Sequence, residues 1–216
     1  MKTKTLLKYT LAITAGILMT EAATHAASYH VAINTAALDL APANTNAPFS
    51  LDFQFNDGGL LNNNTATITN FTYGGGSATG SPTLFSGALG NIGSTVSLNN
   101  SSAFQELYQT FTVGTLLSFD VTLTENLDGS TPDSFVVAIL DSSLANITTN
   151  GIGDSLLHAD ISQTSPLTLA QLNLASGTGD YAGVTVVATP EPGSLACLAS
   201  GATLLLCFRR RPTATA

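Results

Sequence analysis

The sequence predicts an all-β fold for the body of this 216-residue chain, an antiparallel β-sandwich of jelly-roll-like type. Three observations carry that expectation. Several stretches alternate apolar and polar residues with period two, as half-buried strands do. Clusters of Asn, Asp and Gly separate them where turns are needed. No long stretch of the body keeps a helical period.

The first strand is expected near Tyr29–Thr35. Next, "PFSLDFQF" sets Phe49, Leu51, Phe53 and Phe55 on one face and Ser50, Asp52 and Gln54 on the other. Further strands are expected near Thr65–Tyr73 and Gln109–Val113. In "LLSFDVTLTE", Leu117, Phe119, Val121 and Leu123 alternate with Ser118, Asp120, Thr122 and Thr124. "SFVVAIL" (Ser134–Leu140) is apolar on both faces, as a central sandwich strand is. Leu156–Ser162 and Ala182–Ala188 complete a set of eight to ten strands, and Leu167–Leu174 is expected as a short helix. Turns fall at Asn56-Asp57-Gly58-Gly59, Gly74-Gly75-Gly76, Asn126-Leu127-Asp128-Gly129 and Asn150-Gly151. Nine of the ten Phe lie in this body, enough for a core without disulfides.

Charge divides the chain sharply. All six basic residues sit at the ends, Lys2, Lys4 and Lys8 at one and Arg209, Arg210 and Arg211 at the other. Between Ser28 and Ala188 there are twelve Asp and Glu and no Lys or Arg, a formal charge of −12. Such a body cannot neutralise phosphates, so nucleic acid is not a partner. It cannot dock by charge on an anionic membrane surface. Salt bridges are not expected inside it. The two cysteines, Cys197 and Cys207, lie in the C-terminal apolar run, which leaves the body without thiol chemistry.

Both ends read as addresses. Residues 1–26 have a basic start, an apolar stretch from Leu11 to Met19 and then small residues, the pattern of a secretory signal peptide. Cleavage is expected after Ala26, with Thr24 at −3, or after Ala27. The body then spans 28–188. At the other end, Pro190-Glu191-Pro192 precedes an apolar segment and the three arginines. As a helix, Leu195–Phe208 would be about 21 Å long, short of the ~30 Å hydrocarbon core. A short span backed by arginines acts as a stop-transfer signal with the cations cytoplasmic and the body outside. The prolines keep the preceding stretch extended, presenting an accessible strand to a processing enzyme.

At Pro190-Glu191-Pro192, Gly193-Ser194, the apolar run and Arg209–Arg211, the chain resembles the PEP-CTERM family of bacterial exported proteins. The resemblance covers residues 189–212. It implies a single transmembrane sorting helix read by an exosortase, after signal peptidase has acted at the other end. It also implies transient anchoring in the inner membrane of a Gram-negative bacterium, then delivery to the cell surface or to an extracellular polysaccharide matrix or biofilm. The segment Gln109–Asp141 is similar, more loosely, to the bodies that precede such tails.

The body is expected to be structural, adhesive or glycan-contacting and not an enzyme, with matrix polysaccharide as a partner. The alternative is an extracellular carbohydrate-active hydrolase using acidic pairs such as Asp120 with Glu125 or Asp128 with Asp133. "GDSLL" (Gly153–Leu157) imitates an esterase nucleophile motif, but it lies in an all-β chain with His158 only three residues from Ser155, and reads as a polar turn. Tyr29, Tyr73, Tyr108 and Tyr181 are candidates for stacking on neutral sugars. His30 and His158 have no supporting metal-ligand cluster. No cofactor is required, and the candidate metal is calcium on Glu125, Asp128 and Asp133, three carboxylates around one Gly-containing loop.

Overall fold

Period-two alternation in the sequence becomes strand after strand in the structure, a computed structural model that describes residues 26–40, 47–59, 61–126, 131–161, 167–168 and 171–191. The predicted signal peptide, Asp128, Pro192 and the sorting helix with Arg209–Arg211 lie outside the described residues. Among the described residues no helix is long and apolar enough to cross a membrane.

Six strands form one sheet. These are β1 (Ala26–Asn34), β3 (Thr65–Thr72), β6 (Leu89–Gly90), β7 (Val96–Asn99), β9 (Leu116–Thr124) and β13 (Thr185–Pro190), in the order β13-β1-β9-β3-β7-β6. The second sheet holds β2 (Phe49–Asn56), β4 (Ser77–Ala78), β5 (Thr83–Phe85), β8 (Phe104–Thr112), β10 (Asp133–Leu140), β11 (Leu157–Ile161) and β12 (Leu172–Leu174). Its order is β12-β11-β10-β2-β8-β4, with β5 also pairing with β8. Every strand pair among the described residues is antiparallel.

The inward residues of both sheets share one core. Phe49, Leu51, Phe53 and Phe55 of β2 are buried as the alternation requires, facing Leu117, Phe119, Val121 and Leu123 of β9. Phe53 sits at the centre. Its ring meets Phe119 of the opposite sheet edge-on at 5.4 Å, Phe71 at 6.0 Å, and stacks on Phe135 of β10 at 6.3 Å. β10 lies between β11 and β2, and its outward Ala138 and Leu140 are buried too, which explains its apolar character on both faces.

The structure departs from the sequence reading in three places. Strands β4 to β7, between 77 and 99, are two to four residues each, too short to show a period. Side chains of β8 hold this excursion. Gln109 accepts the Ile92 N–H at 3.0 Å and donates to Gly80 O at 2.9 Å, while Gln105 accepts the Asn99 N–H at 2.9 Å. The expected helix at Leu167–Leu174 instead contains β12, which continues the sheet beside β11. The α-helix among the described residues is α1 (Ala36–Leu40), a single turn after β1.

Candidate functional site

Two pairs of carboxylates meet on the outer faces of the sandwich, one on each sheet. Neither pair is close in sequence.

On the first sheet, the β1–β9 register sets His30 opposite Asp120. Both point outward, because Tyr29, Val31, Phe119 and Val121 on either side of them face the core. His30 Nδ1 lies 2.7 Å from Asp120 Oδ1, and the Asn70 amide donates to Asp120 Oδ2 at 2.6 Å. Asn70 reaches this position from an irregularity in β3, where the register against β9 shifts between Thr69 and Thr72 and Asn70 itself has φ of 56°. Asn accepts that left-handed backbone more readily than most residues, and such a bulge re-aims a side chain.

β13 brings the third group. Tyr29 is opposite Pro190, and the N–H of the next residue, Glu191, donates to Ser28 O at 2.9 Å. The Ser28–Glu191 pair is hydrogen-bonded, so Pro190 beside it turns its nitrogen away from β1, an allowed place for proline on an edge strand. The Glu191 carboxyl group lies beside that of Asp120. One ligand atom each from His30, Asp120 and Glu191 lies within 4.8 Å of the other two. Partial burial works to raise the Asp120 pKa, but hydrogen bonds from Asn70 and His30 outweigh it and hold the carboxylate below its ordinary range.

This placement corrects two expectations. Pro190 and Glu191 do not hang free as an accessible strand, since the sheet runs through Pro190 and binds the Glu191 backbone. Salt-bridge partners do exist in the body, because the histidines supply them. His30 faces Asp120, and His158 Nε2 lies 3.0 Å from Asp160, each a salt bridge when the imidazole is protonated.

On the second sheet, β2 and β8 set Asp52 opposite Tyr108 and Gln54 opposite Glu106, so the two acids are diagonal neighbours. Gln54 Nε2 donates to Asp52 Oδ2 at 2.7 Å and to Glu106 Oε1 at 3.4 Å. Asp52 is 0% exposed and its Oδ1 has no hydrogen-bond partner. Burial first, then the charge of Glu106, pushes Asp52 up to about 7 against the opposing Gln54 bond. Burial raises Glu106 as well.

The expected partners Asp120 and Glu125 are placed differently. Asp120 faces outward, whereas Glu125 is buried and accepts the Leu167 N–H at 2.7 Å. Asp133 is also buried. Its Oδ1 accepts the Gly58 N–H at 2.9 Å, and its Oδ2 accepts amide N–H groups from Asn64 at 2.8 Å and Asn100 at 2.9 Å. A calcium ion on Glu125, Asp128 and Asp133 would compete with those donors. Ser155 of "GDSLL" is buried, with its hydroxyl donating to Ile152 O at 2.7 Å, while His158 bonds to Asp160. Of the four tyrosines, Tyr29 and Tyr181 are core residues. Tyr29 donates to Leu167 O at 2.7 Å, and burial, then the Glu125 charge, pushes its phenol up to about 12. Tyr73 donates to Ile92 O. Tyr108 is half-buried, opposite Asp52.

No family model, no curated protein and no solved structure matches this chain.

Sequence reasoning missed Glu106 and gave Glu191 no part in the body. Asp52 and Asp120 were legible as residues of the polar strand faces, but their partners are set by strand register, which local sequence does not carry.

Proposed function

We propose that the chain is an exported protein sorted by an exosortase, which delivers a β-sandwich to the cell surface or to an extracellular polysaccharide matrix. There the body serves structure, adhesion or glycan contact. The observation that carries this reading is the order Pro190-Glu191-Pro192, apolar run, Arg209–Arg211, starting at the end of β13, in a chain whose other Lys and Arg residues all lie in a signal-peptide-like start. The antiparallel pairing of β1 with β13 supports it: the chain enters and leaves the body at one corner, where Ser28 meets Glu191. Two membrane-directed ends can then face one bilayer without straining the sandwich.

Replacing Pro190, Glu191 and Pro192 with alanine tests the reading in the native cells. Full-length protein should accumulate in the inner-membrane fraction. Parent-like processing and location in the triple variant would overturn it.

The second reading is a carbohydrate-active hydrolase, favoured by the Asp52–Glu106 pair beside Tyr108. Two carboxyl groups with one raised to about 7 resemble the acid and base of glycoside hydrolysis. Against it stands the complete burial of Asp52. A panel of neutral glycans separates the two: turnover abolished by Glu106→Gln supports the hydrolase, whereas binding without turnover, or inertness, supports the matrix role.

A further inference from the structure

We propose that His30, Asp120 and Glu191 form a binding site for a zinc-class divalent cation, which fastens the end of β13 to the outer face of the first sheet. This site is independent of the sorting reading.

The donor set points to the class of ion. One imidazole and two carboxylates suit zinc and its first-row neighbours, whereas calcium takes six to eight oxygens. The three ligand atoms already lie within 4.8 Å of one another. Tetrahedral ligands at the usual zinc distances sit roughly 3.3 Å apart. His30 Nδ1 and Asp120 Oδ1, at 2.7 Å, would therefore open by about half an ångström. The groups are free to make those moves: the His30 side chain is 46% exposed and Glu191 is half-buried. That exposure also leaves room for water as a fourth ligand.

Charge supplies a second, separate reason. Asp120 and Glu191 each bring a carboxylate oxygen within 4.8 Å of the other, so two negative charges gather at one point and call for a counter-charge. Elsewhere in proteins a Lys or Arg commonly answers that need. Here the sequence holds none between Tyr9 and Phe208, and a bound divalent cation would supply that charge. Among the described residues no other three His, Cys, Asp or Glu side chains converge in this way.

The site is also braced. Asn70 holds the second oxygen of Asp120, leaving Oδ1 turned toward His30, the kind of outer partner that orients a metal ligand. The Glu191 backbone is pinned to Ser28, so its carboxylate starts from a fixed anchor.

The test uses the full chain, freed of metal by chelator and with Cys197 and Cys207 blocked by N-ethylmaleimide. Zinc chloride is titrated by calorimetry, with melting temperature followed in parallel. One saturable site is expected, together with a rise in melting temperature that calcium at equal concentration does not give. His30→Ala and Glu191→Gln should each weaken binding at least tenfold while leaving the metal-free melting temperature near that of the parent. Asn70→Gly, which keeps the left-handed backbone accessible, should weaken it roughly tenfold or more. Substituting the other two histidines of the sequence, His25→Ala and His158→Ala, should leave it unchanged. Parent-like zinc affinity in both His30→Ala and Glu191→Gln, or no saturable site in the parent, would overturn the proposal. Loss of binding in His25→Ala or His158→Ala would overturn it equally, by placing the ion elsewhere.

Discussion

The N–H of Glu191 donates to the carbonyl oxygen of Ser28 at 2.9 Å, closing the last hydrogen-bonded pair between the final strand and the first. The antiparallel alternation then fixes every other residue of β13. Val187 and Thr189 also turn their N–H groups toward β1, opposite Ala32 and His30, while Val186 and Ala188 turn theirs away. Amide exchange should show this. The amides of Val187, Thr189 and Glu191 should exchange at least tenfold more slowly than those of Val186 and Ala188. Uniformly fast exchange along the strand would mean that the end of β13 is not held.

Asp52 makes the fold sensitive to pH. Its pKa is raised in the folded state to about 7, so the folded protein binds a proton that the unfolded chain releases near pH 4. The associated stability is fully present below about pH 4 and is lost as pH rises through about 7. A rise of that size corresponds to at most on the order of 4 kcal/mol. Asp52→Asn should remove this dependence, so that the variant gains on the parent by a few kcal/mol between pH 4.5 and pH 8 in urea unfolding. A gap independent of pH would show that Asp52 is ionised throughout.

Asp133 anchors three chain segments through one buried carboxylate, collecting donors from Gly58, Asn64 and Asn100. Asp133→Asn sets an amide N–H₂ against donors that need an acceptor. The expected loss is roughly 2–4 kcal/mol, since hydrogen bonds to a charged group are the stronger kind and the orphaned donors remain buried. Chemical denaturation of the two proteins measures it. A loss below ~1 kcal/mol would show that the neighbouring amides find other partners.

Phe53 joins the two sheets through its edge-on contact with Phe119. Phe53→Ala should cost about 3–5 kcal/mol, combining lost burial with the cavity left among Phe71, Phe119 and Phe135. The exposed Phe85 is a useful control, with an expected change within about 0.5 kcal/mol for Phe85→Ala.

Local sequence carried the body a long way. The alternation at Phe49–Phe55 and Leu117–Leu123 is itself the physical cause of two half-buried strands, so reading one amounts to reading the other. Turn residues were equally direct: Gly74 and Gly75 occupy the left-handed backbone that their turn requires. The two-residue β4 and β6 had no such signal. They exist because β8 and β7 give their backbones partners, while the buried Gln105 and Gln109 hold the neighbouring backbone at Gly80, Ile92 and Asn99.

By itself the sequence determined which residues of the long alternating strands face the core, and it confined positive charge to the chain ends. Both are properties of composition and short-range spacing. The tertiary structure alone decided that Asp52 meets Glu106, and that Glu191 meets Asp120 and His30. Those encounters depend on the register between strands far apart along the chain, which a whole hydrophobic core fixes at once.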